Sequence, residues 1–354
     1  MKRYRLTCSR ASLSDSLRPG RTGSSVIAAA ALFTLALPGV PAHAAVATRF
    51  GVPATITGAG TLTGTPGNDV IVGSPGADTI DGRGGHDLIC GLAGGDSIQG
   101  GTGNDWIDAG PGDDMVRGDL FSASGDVVAS DGNDVLLLGD GNDRGTGDNV
   151  AVSGNASGAG NDRIEGGAGD DRLAGDNNSF IGRTTGAGND ILNGGPGVDE
   201  LHGDGQAGTV ATGAGNDLLD LGADGGRFAI GDNNLLTRGG VATSAGNDVI
   251  RGGTAGDLLV GDNWADNSLR AGTDQLVGRA GDDTLFGDNV DFDQAMTVGS
   301  AGGRDLLSGD AGSDTLRAGP GNDVLNGGPD SDTCDGEAGT GDLALACEAV
   351  TRVP

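Results

Sequence analysis

From Gly64 to Arg117 one nine-residue unit recurs six times without slipping by a residue, beginning GTPGNDVIV and GSPGADTID. Its fourth column is always glycine (Gly67, Gly76, Gly85, Gly94, Gly103, Gly112). The sixth is always aspartate (Asp69, Asp78, Asp87, Asp96, Asp105, Asp114), and the eighth is β-branched and apolar (Ile71, Ile80, Ile89, Ile98, Ile107, Val116). Each step therefore supplies one tight turn, one carboxylate and one side chain to bury. Glycine allows positive φ and close approach of two backbones. The short stretch between turns has a single inward position, with columns seven and nine facing outward. One apolar side chain per unit cannot bury itself alone, so the units must stack as a parallel β-solenoid in which each coil covers its neighbour.

Glycine and proline together make up 84 of 354 residues and aromatics only ten, a composition that leans toward disorder. The strict phase between aspartate and isoleucine overrides that leaning, because a disordered linker has no reason to keep it. Residues 1–44 differ from the rest: six basic residues, an apolar run from Val26 to Leu37, and a small-residue site at Ala42-His43-Ala44 read as a secretory signal peptide cleaved before Ala45. The competing reading is an uncleaved anchor. Without the leader the chain has 15 arginines, no lysine and 49 acids, a formal net charge of −34. Such a chain repels itself when compact, so folding should require cations, and nucleic acid is excluded as a partner for want of a basic patch.

The array resembles the repeats-in-toxin, or hemolysin-type, calcium-binding nonapeptide GGxGxDxUx, where U is a large aliphatic residue. The resemblance implies an all-β fold, a right-handed parallel β-roll or β-solenoid with two nonapeptides per coil. It also implies multiple Ca2+ ions between stacked turns, held by turn carbonyls and the sixth-column carboxylates. Carried onto this chain, Asp69, Asp87 and Asp105 would line one edge and Asp78, Asp96 and Asp114 the other. Hard oxygen donors suit calcium.

Beyond Arg117 paired nine-residue steps persist at Asp134 and Asp143, Asp162 and Asp171, Asp190 and Asp199, Asp248 and Asp257, and Asp274 and Asp283. Longer segments intervene, each opened by Gly-Asp-Asn at Gly147, Gly175, Gly231, Gly261 and Gly287, with Gly203-Asp204-Gly205 filling the missing beat. The early steps are 28 residues and the later ones 30 and 26, a higher-order repeat. Because the spacing between pairs varies, the insertions are expected to be loops or short arms on a two-strand coil, with a third strand as the alternative. Asp305, Asp314, Asp323 and Asp332 restore the regular step, with Leu307, Leu316 and Leu325 inward. Cys334 takes the next inward position, and a disulfide to Cys347 is expected to staple an apolar tail over the open end. Two reduced cysteines are the alternative.

The chain thus divides into a signal peptide (1–44), an N-terminal cap (45–63), regular repeats (64–117), repeats with insertions (118–304), regular repeats (305–336) and a C-terminal cap (337–354). On the order of 15 coils at about 4.8 Å would make a rod roughly 70 Å long. Cys90 falls in an outward column beside Val70, Val72, Leu88 and Trp106, an apolar strip expected to be covered by residues 45–63 or by self-association with a second copy. His86 and His202 lie in repeat-like turns without a nucleophile partner, and no zinc cluster is present. Paired acids such as Asp113-Asp114, Asp170-Asp171 and Asp282-Asp283 read as ligands or solvated charge. The expectation is a secreted calcium-binding solenoid, extracellular or at the cell surface, that folds on meeting calcium and catalyses nothing itself. The runner-up is an adhesion or polysaccharide-binding module, and a glycan-modifying solenoid enzyme ranks lower.

Overall fold

The computed structural model describes residues 48–49, 52–128, 132–294, 296–300 and 302–353, so the signal peptide expected at 1–44 lies outside the described residues. The described chain is built of short strands and turns, with no helix among them. Two parallel sheets of 13 strands each run along it. One stacks Val70–Val72, Leu88–Cys90 and Trp106–Asp108; the other stacks Thr79–Asp81, Ser97–Gln99 and Met115–Arg117. Ile71 pairs with Ile89 and Ile89 with Ile107, so partners in the regular block are 18 residues apart and two nonapeptides close one coil. The architecture is a parallel β-roll.

After Arg117 the coil grows. Phe121–Ser122, Val150–Ala151, Asn178–Ser179, Gln206–Ala207 and Asn234–Leu235 stack as a third parallel sheet. Val127–Val128, Ala156–Ser157, Arg183–Thr185, Val210–Thr212, Val241–Ala242 and Asn267–Ser268 stack as a fourth. The insertions are therefore not loops or free arms on a two-strand coil, as expected, but two further strands per coil. Their backbone groups need partners, and the equivalent segment one coil away supplies them: Val150 N–H donates to Leu120 C=O at 2.9 Å, and Asn178 N–H to Asn149 C=O at 2.8 Å. Lengthening a coil adds no rung, so the stack has 13 rungs rather than about 15 and a length of roughly 60 Å at about 4.8 Å per rung.

The core is a single file of side chains between the two long sheets. Ile71, Ile80, Ile89, Ile98, Ile107, Val116, Leu136, Ile164 and Leu173 continue through Leu192, Leu201, Leu219, Ile250, Leu259, Leu276 and Leu285 to Leu307, Leu316, Leu325 and Cys334, all fully buried. Two rungs have lost their large residue. Gly145 stands in the inward column opposite Val116, and Leu138 fills the gap so closely that a Cβ on Gly145 would lie 3.0 Å from its Cδ1. The other is Ala229, with Leu221 buried in the same core. Close packing is conserved although the column is not. A smaller core of Ala207, Ala211, Leu235, Ala242 and Ala265 lies between the two added sheets.

The ends are closed by extra rungs. Ile56–Thr57 and Thr61–Thr63 pair with the first regular strands. Leu343–Leu345 and Ala349–Thr351 pair with the last, so the tail extends the stack instead of folding across its end. Cys334 and Cys347 are joined, with Cα atoms 6.0 Å apart. Cys90 does not face outward as expected from its column: it is buried and not free. Val70 and Val72 are buried as well, and Leu88 and Trp106 half-buried, so the apolar strip offers little surface for a second copy.

Candidate metal centres

Nearly every coil turns twice at an aspartate, and these aspartates form two ladders. Along the first, the N–H of Asp69 donates to Asp87 Oδ1, Asp87 to Asp105 and Asp105 to Asp134, each at 2.7 Å. The series continues through Asp162, Asp190, Asp217, Asp248, Asp274, Asp305 and Asp323 to Asp342. Along the second, Asp78, Asp96, Asp114, Asp143, Asp171 and Asp199 follow one another. Gly226 stands where the next aspartate belongs, and its N–H still donates to Asp257 at 2.7 Å. Asp257, Asp283, Asp314 and Asp332 complete the row. All 20 aspartates singled out in the sequence are buried and fall in one ladder or the other.

One oxygen of each carboxylate is thus used, and in most the other is left bare. Oδ2 of Asp87, Asp96, Asp105, Asp114, Asp134 and Asp143 is buried without a hydrogen-bond partner, and the same holds down both ladders to Asp332 and Asp342 except at Asp257, whose Oδ2 accepts the Gly253 N–H at 2.7 Å; at the entry end Asp69 and Asp78 accept local bonds from Thr65 and Ser74 instead. Glycine in the first column keeps the space beside it open. A Cβ on Gly91 would run into both the bare Asp96 Oδ2 and the Ala109 carbonyl of the next coil. Carboxylate and main-chain carbonyl therefore face one small gap, a donor set of hard oxygens that fits calcium.

The electrostatics carry the same message. Burial, reinforced by neighbouring carboxylates and only partly offset by the main-chain N–H, pushes Asp96 and Asp114 up to about 6, Asp105 and Asp199 to about 7 and Asp171 to about 8. Burial holds Asp134, Asp162, Asp217, Asp248 and Asp274 well above the usual carboxylate range. A buried carboxylate with a bare oxygen must keep a proton or share a cation.

The sequence reading missed some of these groups. Asp217 sits in GAGNDLLD, in frame with the first ladder, and was hidden because its nine-residue partner is Gly226. The aspartates of Gly-Asp-Asn (Asp148, Asp176, Asp232, Asp262, Asp288), together with Asp204, are as deeply buried as the nonapeptide carboxylates, at 1% exposure or less. Their motif was visible, but nothing in one dimension placed it inside the coil. The paired acids prove unequal: Asp113, Asp170 and Asp282 accept main-chain N–H bonds from Asn142, Val198 and Ser313 of the following coil at 3.0, 3.0 and 2.8 Å, an outer ladder beside the inner one. His202 lies in the strand Asp199–His202 rather than a turn, packed edge-on to Phe228 at 5.4 Å. Burial first, then Arg172, pulls its pKa down to about 3, so the ring is neutral near pH 7.

The sequence profile of the RTX calcium-binding nonapeptide repeat matches residues 56–122 in overlapping blocks, then 125–150, 156–179, 184–210, 241–263, 270–289 and 301–343. The chain belongs to this RTX repeat family. The matched blocks cover regular and enlarged coils alike, so the enlarged coils are modified RTX repeats and not a foreign domain. No curated protein matches the chain. As an RTX repeat protein it binds calcium, and its many buried aspartates fit several ions.

Proposed function

We propose that this RTX chain is a secreted β-roll whose folding is switched on by extracellular calcium and that has no catalytic activity of its own. The carboxylates assigned to calcium are Asp69, Asp87, Asp105, Asp134, Asp162, Asp190, Asp248, Asp274, Asp305 and Asp323 on one edge. On the other they are Asp78, Asp96, Asp114, Asp143, Asp171, Asp199, Asp257, Asp283, Asp314 and Asp332, and Asp217 joins the first set. The bare Oδ2 rows carry this reading. A bound ion supplies the positive charge that lets these carboxylates ionise in place. The chain's own part is to hold each carboxylate by its Oδ1 and to set a main-chain carbonyl of the next coil opposite. Because ligands come from adjacent coils, binding energy becomes folding energy. Extracellular calcium modules bind with Kd of about 0.1 to 1 mM, so the chain would stay loose in a calcium-poor cell and order after export. Circular dichroism of the mature chain with calcium and with chelator tests this: strand content should collapse on chelation, and an unchanged spectrum rejects the mechanism.

A second reading, as an adhesion module, has one observation in its favour. Where the added strands leave the Arg172–Ala174 sheet, a groove of about 560 Å³ is lined by Phe121, Phe180, Arg144, Arg172, Glu200 and Gln206. Phe121 and Phe180 are 40% and 46% exposed. Exposed rings beside arginines suit an acidic polysaccharide. Calcium-loaded protein should be retarded on an acidic-glycan column, and an Arg144→Glu variant, also calcium-loaded, should not.

A further inference from the structure

We infer that Asp148, Asp162 and Asp176 form an additional calcium site inside the enlarged coils, with two carboxylates from the Gly-Asp-Asn motif and one from a nonapeptide. This rests on reading the chain as a calcium binder, but the site is not one that the nonapeptide pattern provides. One carboxylate oxygen from each residue lies within 4.8 Å of the others, and all three residues are at most 2% exposed. Asp162 Oδ2 and Asp176 Oδ1 are buried and accept no hydrogen bond among the described residues.

The chain itself explains why the cluster is open here. In later coils the asparagine of each motif donates its side-chain amide back to the aspartate one coil earlier: Asn233 to Asp204 Oδ2 at 3.0 Å, Asn263 to Asp232 Oδ2 at 3.3 Å and Asn289 to Asp262 Oδ2 at 3.2 Å. The residue that would serve Asp176 in this way is position 205, which is glycine. Asp176 accepts the Gly188 N–H at 2.8 Å on Oδ2, while its Oδ1 is buried without a hydrogen-bond partner among the described residues. Three carboxylates crowded in a dry interior need a compensating positive charge. No arginine or lysine forms a salt bridge with Asp162 or Asp176 among the described residues.

All three groups offer carboxylate oxygens, the hard donors that calcium takes.

Anomalous scattering from crystals of the mature chain grown with terbium in place of calcium tests the inference. A peak among Asp148, Asp162 and Asp176, together with peaks along the two ladders, is the expected result. Peaks on the ladders with none here overturn this site and leave the calcium reading intact; no peaks anywhere overturn both. In solution, Asp176→Asn keeps an acceptor for the Gly188 N–H and removes one charge. Metal analysis of calcium-equilibrated protein should then find about one ion fewer per chain than wild type, with strand content in calcium retained. An unchanged count would mean that the three carboxylates share protons instead. The wild-type scattering decides the matter whether or not the variant folds.

Discussion

At the scale of the residue, one carboxylate does two jobs with its two oxygens. Asp87 Oδ1 fixes the stacking register by accepting the Asp69 N–H, while the bare Oδ2 waits for positive charge. Asp87→Asn keeps the first and loses the second, so its effect should change sign with the metal. In calcium it should destabilise by about 1 to 3 kcal/mol, as for loss of a charged buried partner; in chelator near pH 8 it should leave thermal stability unchanged or raised. Paired melting curves check both signs. The pH dependence follows from the same residues. With folded-state values raised to about 6 for Asp96 and about 8 for Asp171, against about 3.9 when unfolded, the metal-free native state holds more protons than the unfolded chain between those limits. Stability in chelator should therefore be greatest near pH 4 and fall as pH rises toward 8, each carboxylate contributing on the order of 1.4 kcal/mol per pH unit across its window. In saturating calcium it should instead rise over that range, because protons and ions compete for the same oxygens. Chemical denaturation at several pH values, with and without calcium, separates the two slopes.

At the scale of the element, the turn and the inward side chain decide whether rungs can stack. Gly103 has φ of +123°, and a Cβ there would run into the Gly85 carbonyl oxygen of the rung before it. Gly103→Ala should cost several times the roughly 1 kcal/mol of an ordinary glycine-to-alanine mismatch, since it forces two rungs apart as well as straining one residue. The compensated rungs give a gentler test. Leu138→Ala should lower stability by about 2 to 5 kcal/mol, because Gly145 leaves nothing to close the cavity. The double variant Leu138→Ala with Gly145→Val should recover part of that loss, and melting temperatures of the three proteins check the coupling. Column eight was readable as a core position from the sequence, but Leu138 and Leu221 as further core residues were not. They sit outside the repeat frame and reach the same space only once the coil closes.

At the scale of the whole molecule, the stack is one-dimensional, so its ends and its charge govern its stability. The Cys334–Cys347 bond closes a 13-residue separation at the last rungs. Reducing it should remove about 3 kcal/mol of local constraint and speed hydrogen exchange over residues 336–353 while the central coils stay protected. Exchange measured before and after reductant checks this. The period of nine, the phase of aspartate with the apolar column and the glycine turns pointed to a stacked parallel β-solenoid, because one inward residue per repeat cannot be buried alone, while two units per coil, and so two aspartate edges, came from the resemblance to RTX repeats. Tertiary structure alone decided what the insertions do. Two short segments per coil look like loops when read singly, since a strand of two residues gains hydrogen bonds only from its copy 28 residues away. The same holds for the Gly-Asp-Asn carboxylates: a motif fixes which groups recur, but burial and the meeting of Asp148, Asp162 and Asp176 exist only when successive coils are laid on one another.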